Sequence, residues 1–195
     1  STRVTPIGAA PINARPVPPG TPKWGKEWKK TTAQYYAASM SIGCEASNYS
    51  ARSNYLSLDP TYKDPHGRPL LRITFDFTEN DLRMAQYVTD KTAEIAKALN
   101  PKMMFASPRK GPWSNTSYQS SHVVGGFVMG ADPATSSVNK HLQVWGMPNL
   151  FVVGASAFPQ NPGYNPTGTV GALAFKAAHA IRTQYLKRPG EMINL

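Results

Sequence analysis

The sequence predicts an α+β fold in which helices pack on an antiparallel sheet. Three observations lead to this class. Residues 71–77 alternate apolar and polar side chains, which is the period of a half-buried strand. A helix with an apolar stripe follows directly. A short apolar run at residues 149–153 then precedes a second, small-residue helix. The chain therefore runs through strands, a turn, a strand and a packed helix before a final strand–helix segment.

The composition is that of one ordinary domain with a real core. The chain has 195 residues, of which 41% are hydrophobic. No apolar run reaches the roughly 18 residues of a membrane helix, and the start carries no signal-peptide pattern. A lone Cys44 excludes internal disulfides and a cysteine-based metal site. The chain opens in coil sequence without Met, so a trimmed or excised segment of a longer protein is expected.

The positive charge has no nucleic-acid signature attached to it. The formal net charge is +10, but the basic residues are dispersed along the chain. No RNA- or DNA-binding motif accompanies them. We therefore expect no nucleic-acid partner and interpret the charge as a solvated surface or one that meets an acidic partner.

The first third of the chain should contain an arm, a short helix and two strands. Residues 1–22 are rich in Pro and lack periodicity, so they predict an extended arm. Residues 23–34 predict a helix with Trp24 and Trp28 on one face. Apolar runs within residues 35–47 and 54–58 predict strands.

A turn, a strand and a helix follow. Asp-Pro-His-Gly at residues 64–67 has the residue types of a turn. In the strand at residues 71–77 the apolar side chains should face the core. Thr78 and Asp81 form a capping-box-like helix start, and Asn100-Pro101 should end the helix. Its apolar stripe consists of Met84, Val88, Ile95 and Leu99.

The second half of the chain carries more glycine. Residues 111–121 predict a polar coil and residues 123–128 a strand that contains Gly125 and Gly126, which suggests close approach of a backbone or ligand. Residues 149–153 predict a buried apolar strand. Asn165 should cap the last helix with Pro166 at its first position, and that helix should run to about residue 187.

The start of the last helix is suited to hold an anion. Gly168 and Gly171 lie in its first turns, where each costs about 1 kcal/mol relative to Ala. Such a cost is accepted where something must approach closely. The N-terminus of a helix also carries about half a positive charge and free N–H groups. A phosphate or a reduced cofactor ring would be stabilised there; tight helix–helix packing is the alternative.

His122 is the histidine that best suits chemistry, because it leads the Gly-rich segment. An imidazole, with an ordinary pKa of about 6.5, suits proton transfer near neutral pH. Asn165 could act at the same site. The other histidines lie in a turn, a polar stretch and the last helix, and we interpret them as structural or surface residues: His66, His141 and His179.

These motifs together resemble one enzyme family. His-x-x-Gly-Gly-x-x-Met-Gly from residue 122, Asn-Leu-Phe-Val-x-Gly-Ala-Ser from residue 149 and Asn-Pro-Thr from residue 165 resemble the C-terminal part of glucose–methanol–choline (GMC) oxidoreductases. These are FAD-dependent alcohol and sugar oxidases and dehydrogenases. Within this family, the residues of these motifs are most similar to those of the sugar and sugar-acid, gluconate-type dehydrogenases. The resemblance is strong over residues 121–181 and looser before residue 118.

The resemblance implies roles for individual residues. His122 would be the base that takes the substrate hydroxyl proton while hydride passes to flavin N5, and Asn165 would assist it. The positions that match the cofactor-binding segments of the family are Gly154, Ala155, Tyr164, Pro166 and Thr167. No metal is implied.

One departure from the family pattern limits this expectation. The dinucleotide fingerprint Gly-x-Gly-x-x-Gly is absent from the sequence. Residues 1–148 would then be mostly the substrate-binding domain, and residues 149–195 would complete an FAD-binding domain whose N-terminal part is missing. The FAD site would be incomplete, so these 195 residues alone should bind FAD poorly.

The predicted function is FAD-dependent oxidation of a CH–OH group in a sugar, polyol or sugar acid. Electrons would leave to a cytochrome c, a quinone or a small subunit, and the enzyme would be periplasmic or membrane-associated, all by resemblance; a cytoplasmic enzyme stays open. Two alternatives also stay open: a non-catalytic fragment that binds a carbohydrate or a partner, and a GMC oxidase that uses oxygen.

Overall fold

The structure is a computed structural model that describes residues 2–6, 17–109, 111–116 and 122–192. It divides into two compact units. One contains Ser1–Glu45 and Ala85–Pro108, and the other contains Ala46–Met84 and Arg109–Leu195. Strands and helices both occur, so the α+β class is confirmed, but every described sheet has two strands. The predicted domain boundary at residues 148/149 stays a prediction.

The first unit contains a strand where the sequence predicts an arm. Strand β1 (Thr2–Pro6) pairs antiparallel with β2 (Met40–Cys44), with Thr2 opposite Cys44. These five residues are extended, as predicted for an arm that lies on another part of the chain, and they pair with β2 as the second strand of a sheet. Residues 7–16 of the predicted arm lie outside the described residues.

The first helix begins later than predicted. Helix α1 spans Lys26–Tyr36, and its N-cap Gly25 has a φ of 92°. That backbone conformation is not helical and favours glycine. Trp24 therefore precedes the helix and is 84% exposed, so the prediction that it shares a helix face with Trp28 is wrong.

The second unit contains a hairpin with the predicted turn. Strand β3 (Ser47–Tyr49) is short, and β4 (Tyr55–Lys63) pairs antiparallel with β5 (Pro69–Thr74). In the turn, the Asp64 carboxylate accepts hydrogen bonds from the backbone N–H groups of His66 (2.8 Å) and Arg68 (2.9 Å). Gly67 has a φ of +77° there. Pro and Gly therefore have the turn roles predicted for them.

The apolar face of this hairpin is exposed, which contradicts the predicted burial. Leu71 is 62% and Ile73 66% exposed, and they lie opposite Leu58 and Leu56 respectively. All four aliphatic side chains share one face, because opposed and alternate residues of a strand pair point the same way. Two strands alone cannot bury a face. Phe75 and Phe77 lie beyond β5 and are half-buried, with ring centroids 5.8 Å apart.

The long helix has the predicted ends. Helix α2 spans Glu79–Ala98. Thr78 and Asp81 form a reciprocal capping box: the Asp81 N–H donates to Thr78 Oγ1 (3.2 Å), and the Thr78 N–H donates to Asp81 Oδ2 (2.9 Å). Asn100 ends the helix with a φ of 50°. The apolar stripe is half-buried at Met84 and Val88 but exposed further along.

Two predicted strands of the second half are irregular segments instead. Gly125 and Gly126 have φ values of +87° and +99°, outside the β region, so residues 123–128 cannot form a regular strand. With the described residues, the segment 149–153 makes one antiparallel bridge, between Gln143 and Phe151, and its residues are half-buried or exposed. The strand prediction is wrong at both places because apolar content alone does not specify strand pairing.

The last part of the chain is a strand, a helix and a π-turn. Strand β6 (Gln160–Pro162) pairs antiparallel with β3, and helix α3 spans Thr167–Ala180. The helical path continues through a π-turn at Ile181–Tyr185, close to the predicted end.

The described core of the second unit lies under α3. Val138, Leu142, Ala157 and Ala177 form a buried cluster, with Met129, Val144, Val152 and Leu173 packed against it. The core therefore fixes α3 to the irregular segments that carry the predicted site residues. Among the described residues, helices of the length and hydrophobicity needed to cross a bilayer are absent.

Candidate functional site

The Gly-rich segment that follows His122 is hydrogen-bonded to a tight turn. The turn is a single 3₁₀ turn at Ala155–Ala157, directly after Gly154. The N–H groups of Gly125, Phe127 and Met129 donate to the carbonyls of Ala155 (3.0 Å), Ser156 (3.0 Å) and Ala157 (2.9 Å). Alternate N–H groups of the Gly-rich segment are thus paired with three successive carbonyls of the turn. This links the His122 segment to the predicted cofactor residues Gly154 and Ala155.

Glycine is required where this segment passes its neighbours. A Cβ on Gly126 would lie 3.1 Å from the Leu56 side chain, and one on Gly125 would lie 3.4 Å from Ser50 Oγ. Both residues have positive φ. The close approach expected from these two glycines is present, and it is an approach to the β3–β4 part of the chain.

A second link joins His122 to the segment that leads into Asn165. The Asn161 side chain, in β6, donates from Nδ2 to the backbone carbonyl of His122 (3.2 Å). Its Oδ1 accepts the Gly163 N–H (3.1 Å). The backbone at His122 and the turn before Asn165 are therefore held by one side chain.

The start of α3 differs from the predicted cap. The N-cap position is Pro166, in a helical conformation, and among the described residues no side chain makes a cap hydrogen bond to the helix. The prediction that Asn165 caps the helix is therefore wrong, because it lies one residue before the N-cap position. The Pro166 carbonyl accepts the Val170 N–H (2.9 Å), which starts the helical bonding. An uncapped helix start leaves N–H groups free for another acceptor.

The first turns of α3 are open in the way an FAD ring or phosphate would require. Beyond the neighbouring backbone of α3, a Cβ built on Gly168 or Gly171 would meet no atom of the described residues within 4 Å. Gly154 has a φ of +144°, a conformation that L side chains rarely adopt. Apart from its chain neighbours, the described residues bring only Ser156 Oγ to within 4.0 Å of its Cβ position. The residues present thus fit close approach of a flat, partly anionic group to an uncapped helix start.

The other predicted site residues differ in exposure. Pro166 is buried, while Gly154, Ala155 and His122 are half-buried. Tyr164 is 61% exposed, and Thr167, the first residue of α3, is also exposed. The polar groups of the candidate site therefore lie on an accessible surface backed by the core.

The carboxyl groups with shifted pKa values described next, Asp76 and Asp59, are not among the predicted site residues. The Trp113 and Phe77 backbone N–H groups lower the pKa of the Asp76 carboxyl. Hydrogen bonds from the Tyr62 and Thr61 N–H groups lower the pKa of Asp59. Within the described ranges, three or more His, Cys, Asp or Glu side chains do not group as a metal site.

Two side chains that join separate segments of the second unit were not predicted from the sequence. Asn161 carries the Asn-x-Gly spacing of a side-chain-stabilised turn, a signal that was available in Asn161-Pro162-Gly163. Gln143 is 1% exposed and bonds to Asn139, Pro148, Gly190 and Met192. A single glutamine in a polar stretch gives no sequence signal for such burial.

Comparison with known proteins assigns most of this region to one family. The family model described as GMC oxidoreductase, for its C-terminal domain, matches residues 50–174. The gluconate 2-dehydrogenase flavoprotein of Pantoea cypripedii is 50% identical over 193 residues, 97% of this chain and 31% of the relative. The 2-methyl-1,2-propanediol dehydrogenase of Mycolicibacterium austroafricanum is 32% identical over 83% of this chain and 28% of the relative.

A further relative is the fructose dehydrogenase large subunit of Gluconobacter japonicus, which is 32% identical over 66% of this chain and 22% of that subunit. The chain spans less than a third of the length of each of these curated relatives. The matched region includes every residue of the predicted site.

Proposed function

The chain belongs to the GMC oxidoreductases, and on this basis we propose that it is the substrate-side part of an FAD-dependent dehydrogenase that oxidises a CH–OH group of a sugar acid, sugar or polyol. The observation that carries the proposal is the pair of links from the His122 segment, one to Ala155 and one through Asn161. The 50% identity to a gluconate 2-dehydrogenase flavoprotein favours a gluconate-type substrate.

In this proposal the CH–OH group of the substrate loses two electrons and two hydrogens, one as a proton from oxygen and one as a hydride from carbon. The imidazole of His122 takes the hydroxyl proton as the C–O bond gains double-bond character, and the Asn165 amide hydrogen-bonds the same oxygen. When bound, FAD supplies the acceptor for the hydride that leaves the carbon. The carbonyl product then departs and His122 returns its proton to water.

The residues that would hold FAD are Gly154, Ala155, Tyr164, Pro166 and Thr167. The open start of α3 supports this, because the helix dipole and free N–H groups stabilise negative charge that arrives with the hydride. The nucleotide end would be held by a further part of the enzyme resembling the rest of its longer relatives. A cytochrome c or a small subunit would accept the electrons, in a periplasmic or membrane-associated enzyme.

The proposal is tested by His122→Ala in the full-length, FAD-loaded enzyme. Removal of a general base lowers kcat by about 10²–10⁴. His66→Ala is the matched control, because this imidazole lies in the exposed β4–β5 turn. Gluconate, glucose and fructose are supplied with an artificial electron acceptor, and rates are divided by bound flavin. Equal turnover of the His122 variant and wild type would remove His122 from the mechanism.

A separate measurement tests the cofactor assignment. The 195-residue chain is mixed with FAD and its absorption spectrum recorded. We expect no tight, protein-shifted flavin band, since the nucleotide end of FAD would lack its binding part. A tight flavin complex of the chain alone would contradict the division of the site proposed here.

A further inference from the structure

One amide side chain connects the two polar positions of the candidate site. Asn161 lies in β6, opposite Asn48 of β3. Its Nδ2 donates to the carbonyl of His122 (3.2 Å), and its Oδ1 accepts the N–H of Gly163 (3.1 Å). Both ends of the amide are thus used, one toward the segment of the proposed base and one toward the turn before Asn165.

The turn that receives this amide has little freedom to move. Gly163 is buried and has a φ of +68°. A Cβ there would lie 3.0 Å from the Ser47 backbone N and 3.1 Å from the Ala46 carbonyl carbon. The turn therefore presses against the backbone at the start of β3, and the ladder between β3 and β6 fixes it further. Asn161 consequently connects His122 to a rigid support.

We infer that Asn161 is a positioning residue, which fixes the backbone at His122 relative to the turn that leads into Asn165. This inference rests on the function proposed above. Asn161 need not touch the substrate, since it would act through the placement of His122. Reactions of this kind are sensitive to such placement, because a shift of about 1 Å can cost on the order of 10² in rate.

The side-chain chemistry suggests a variant that separates the two bonds. In Asn161→Asp the carboxylate still accepts the Gly163 N–H, but it cannot donate to the His122 carbonyl. Two oxygens would then face each other, and the His122 backbone should move away. Asn161→Ser is the neutral second variant: its hydroxyl can accept the Gly163 N–H, as serine does in related turns, but it is too short to keep both bonds. Asn48→Asp on the opposite strand is the matched control.

The experiment uses the full-length, FAD-loaded enzyme with gluconate and rates per bound flavin. We expect Asn161→Asp to lower kcat about 10- to 100-fold with KM changed less than about threefold. The primary deuterium isotope effect on kcat, with deuterium on the reacting carbon, should increase because C–H cleavage becomes slower than the other steps. Asn161→Ser should change in the same direction, and Asn48→Asp should keep wild-type values.

Hydrogen exchange gives a readout that does not depend on turnover. In the same enzyme the Gly125 amide, bonded to the Ala155 carbonyl, should exchange faster in both Asn161 variants and at the wild-type rate in Asn48→Asp. If the Gly125 amide exchanges at the wild-type rate in both Asn161 variants, Asn161 does not fix the backbone at His122. An active wild type whose Asn161 variants keep kcat, or lose kcat with an unchanged isotope effect, overturns the positioning role. If the wild-type enzyme oxidises none of gluconate, glucose and fructose, the proposed function is refuted, and the positioning role with it.

Discussion

Gln143 offers the sharpest test of how this part of the chain is held together. Its side chain makes four hydrogen bonds from a site that is 1% exposed. Nε2 donates to the carbonyls of Pro148 (2.7 Å) and Gly190 (2.8 Å). Oε1 accepts from Asn139 Nδ2 (3.2 Å) and from the Met192 N–H (2.8 Å). Gln143→Leu keeps a similar volume but removes all four bonds.

The loss of unfolding free energy in Gln143→Leu depends on which of the former hydrogen-bond partners can be hydrated. The carbonyl bonds are part-buried, so those oxygens can be hydrated after the substitution. The Asn139 and Met192 donors are buried and would be left without acceptors. Each unsatisfied buried group costs about 1–3 kcal/mol, so the loss of two gives about 2–6 kcal/mol. That is a large part of the roughly 5–15 kcal/mol by which domains are stable.

Urea unfolding followed by tryptophan fluorescence measures the loss. We expect a lower midpoint for Gln143→Leu with an unchanged slope. Gln86→Leu is the control, because the Gln86 side chain is exposed and, within the described part of the chain, bonds only Asp90 one turn along α2 (2.8 Å). This interaction is worth about 0.2–0.5 kcal/mol. If the two variants lose the same free energy of unfolding, the argument from buried, unsatisfied groups is refuted.

Two further predictions concern a glycine and a carboxylate. Gly163→Ala should destabilise the protein more than Gly67→Ala, by at least about 1 kcal/mol in urea unfolding. Both glycines have positive φ, but of the two only Gly163 would bring its new Cβ against backbone atoms, at 3.0 and 3.1 Å. Equal losses of unfolding free energy would contradict this. Asp76→Asn should make stability less sensitive to acid. The Trp113 N–H, and then the Phe77 N–H, lower the pKa of Asp76 below its usual 3.8, so the stability that the carboxylate contributes is present above that pH and is lost as pH falls through the lowered value. Unfolding midpoints measured from pH 6 downward should drop less for the variant below about pH 4; parallel curves would show that Asp76 is uninvolved.

Local chemistry allowed several elements to be predicted. The Asp64–Gly67 turn and the Thr78–Asp81 capping box are present because their side chains bond backbone groups only a few residues away. Asn100 likewise ends α2 through its own backbone conformation, with a φ of 50°. Such interactions depend little on the rest of the fold, so the sequence contains the information needed to predict them.

Pairing between distant segments was not predictable in the same way. The strand predicted at residues 123–128 fails because two adjacent glycines adopt positive φ to pass Ser50 and Leu56, which are remote in sequence. The predicted burial of Leu71 and Ile73 fails because alternation indicates an apolar face but does not supply a covering layer. The roles of Asn161 and Gln143 depend on partners 39 and 49 residues away.

The unpaired edges of the small sheets influence self-association of the protein in concentrated solution. Each described sheet has two strands, so each strand has one unpaired edge to which another extended chain could add. In the hairpin, Pro60 of β4 and Pro69 of β5 lack N–H groups, so these two positions cannot donate to an added strand. The net charge of +10 adds long-range repulsion between molecules. Because salt screens this repulsion within about 8 Å at 0.15 M, the ionic strength, more than the pH, should control self-association through these strands.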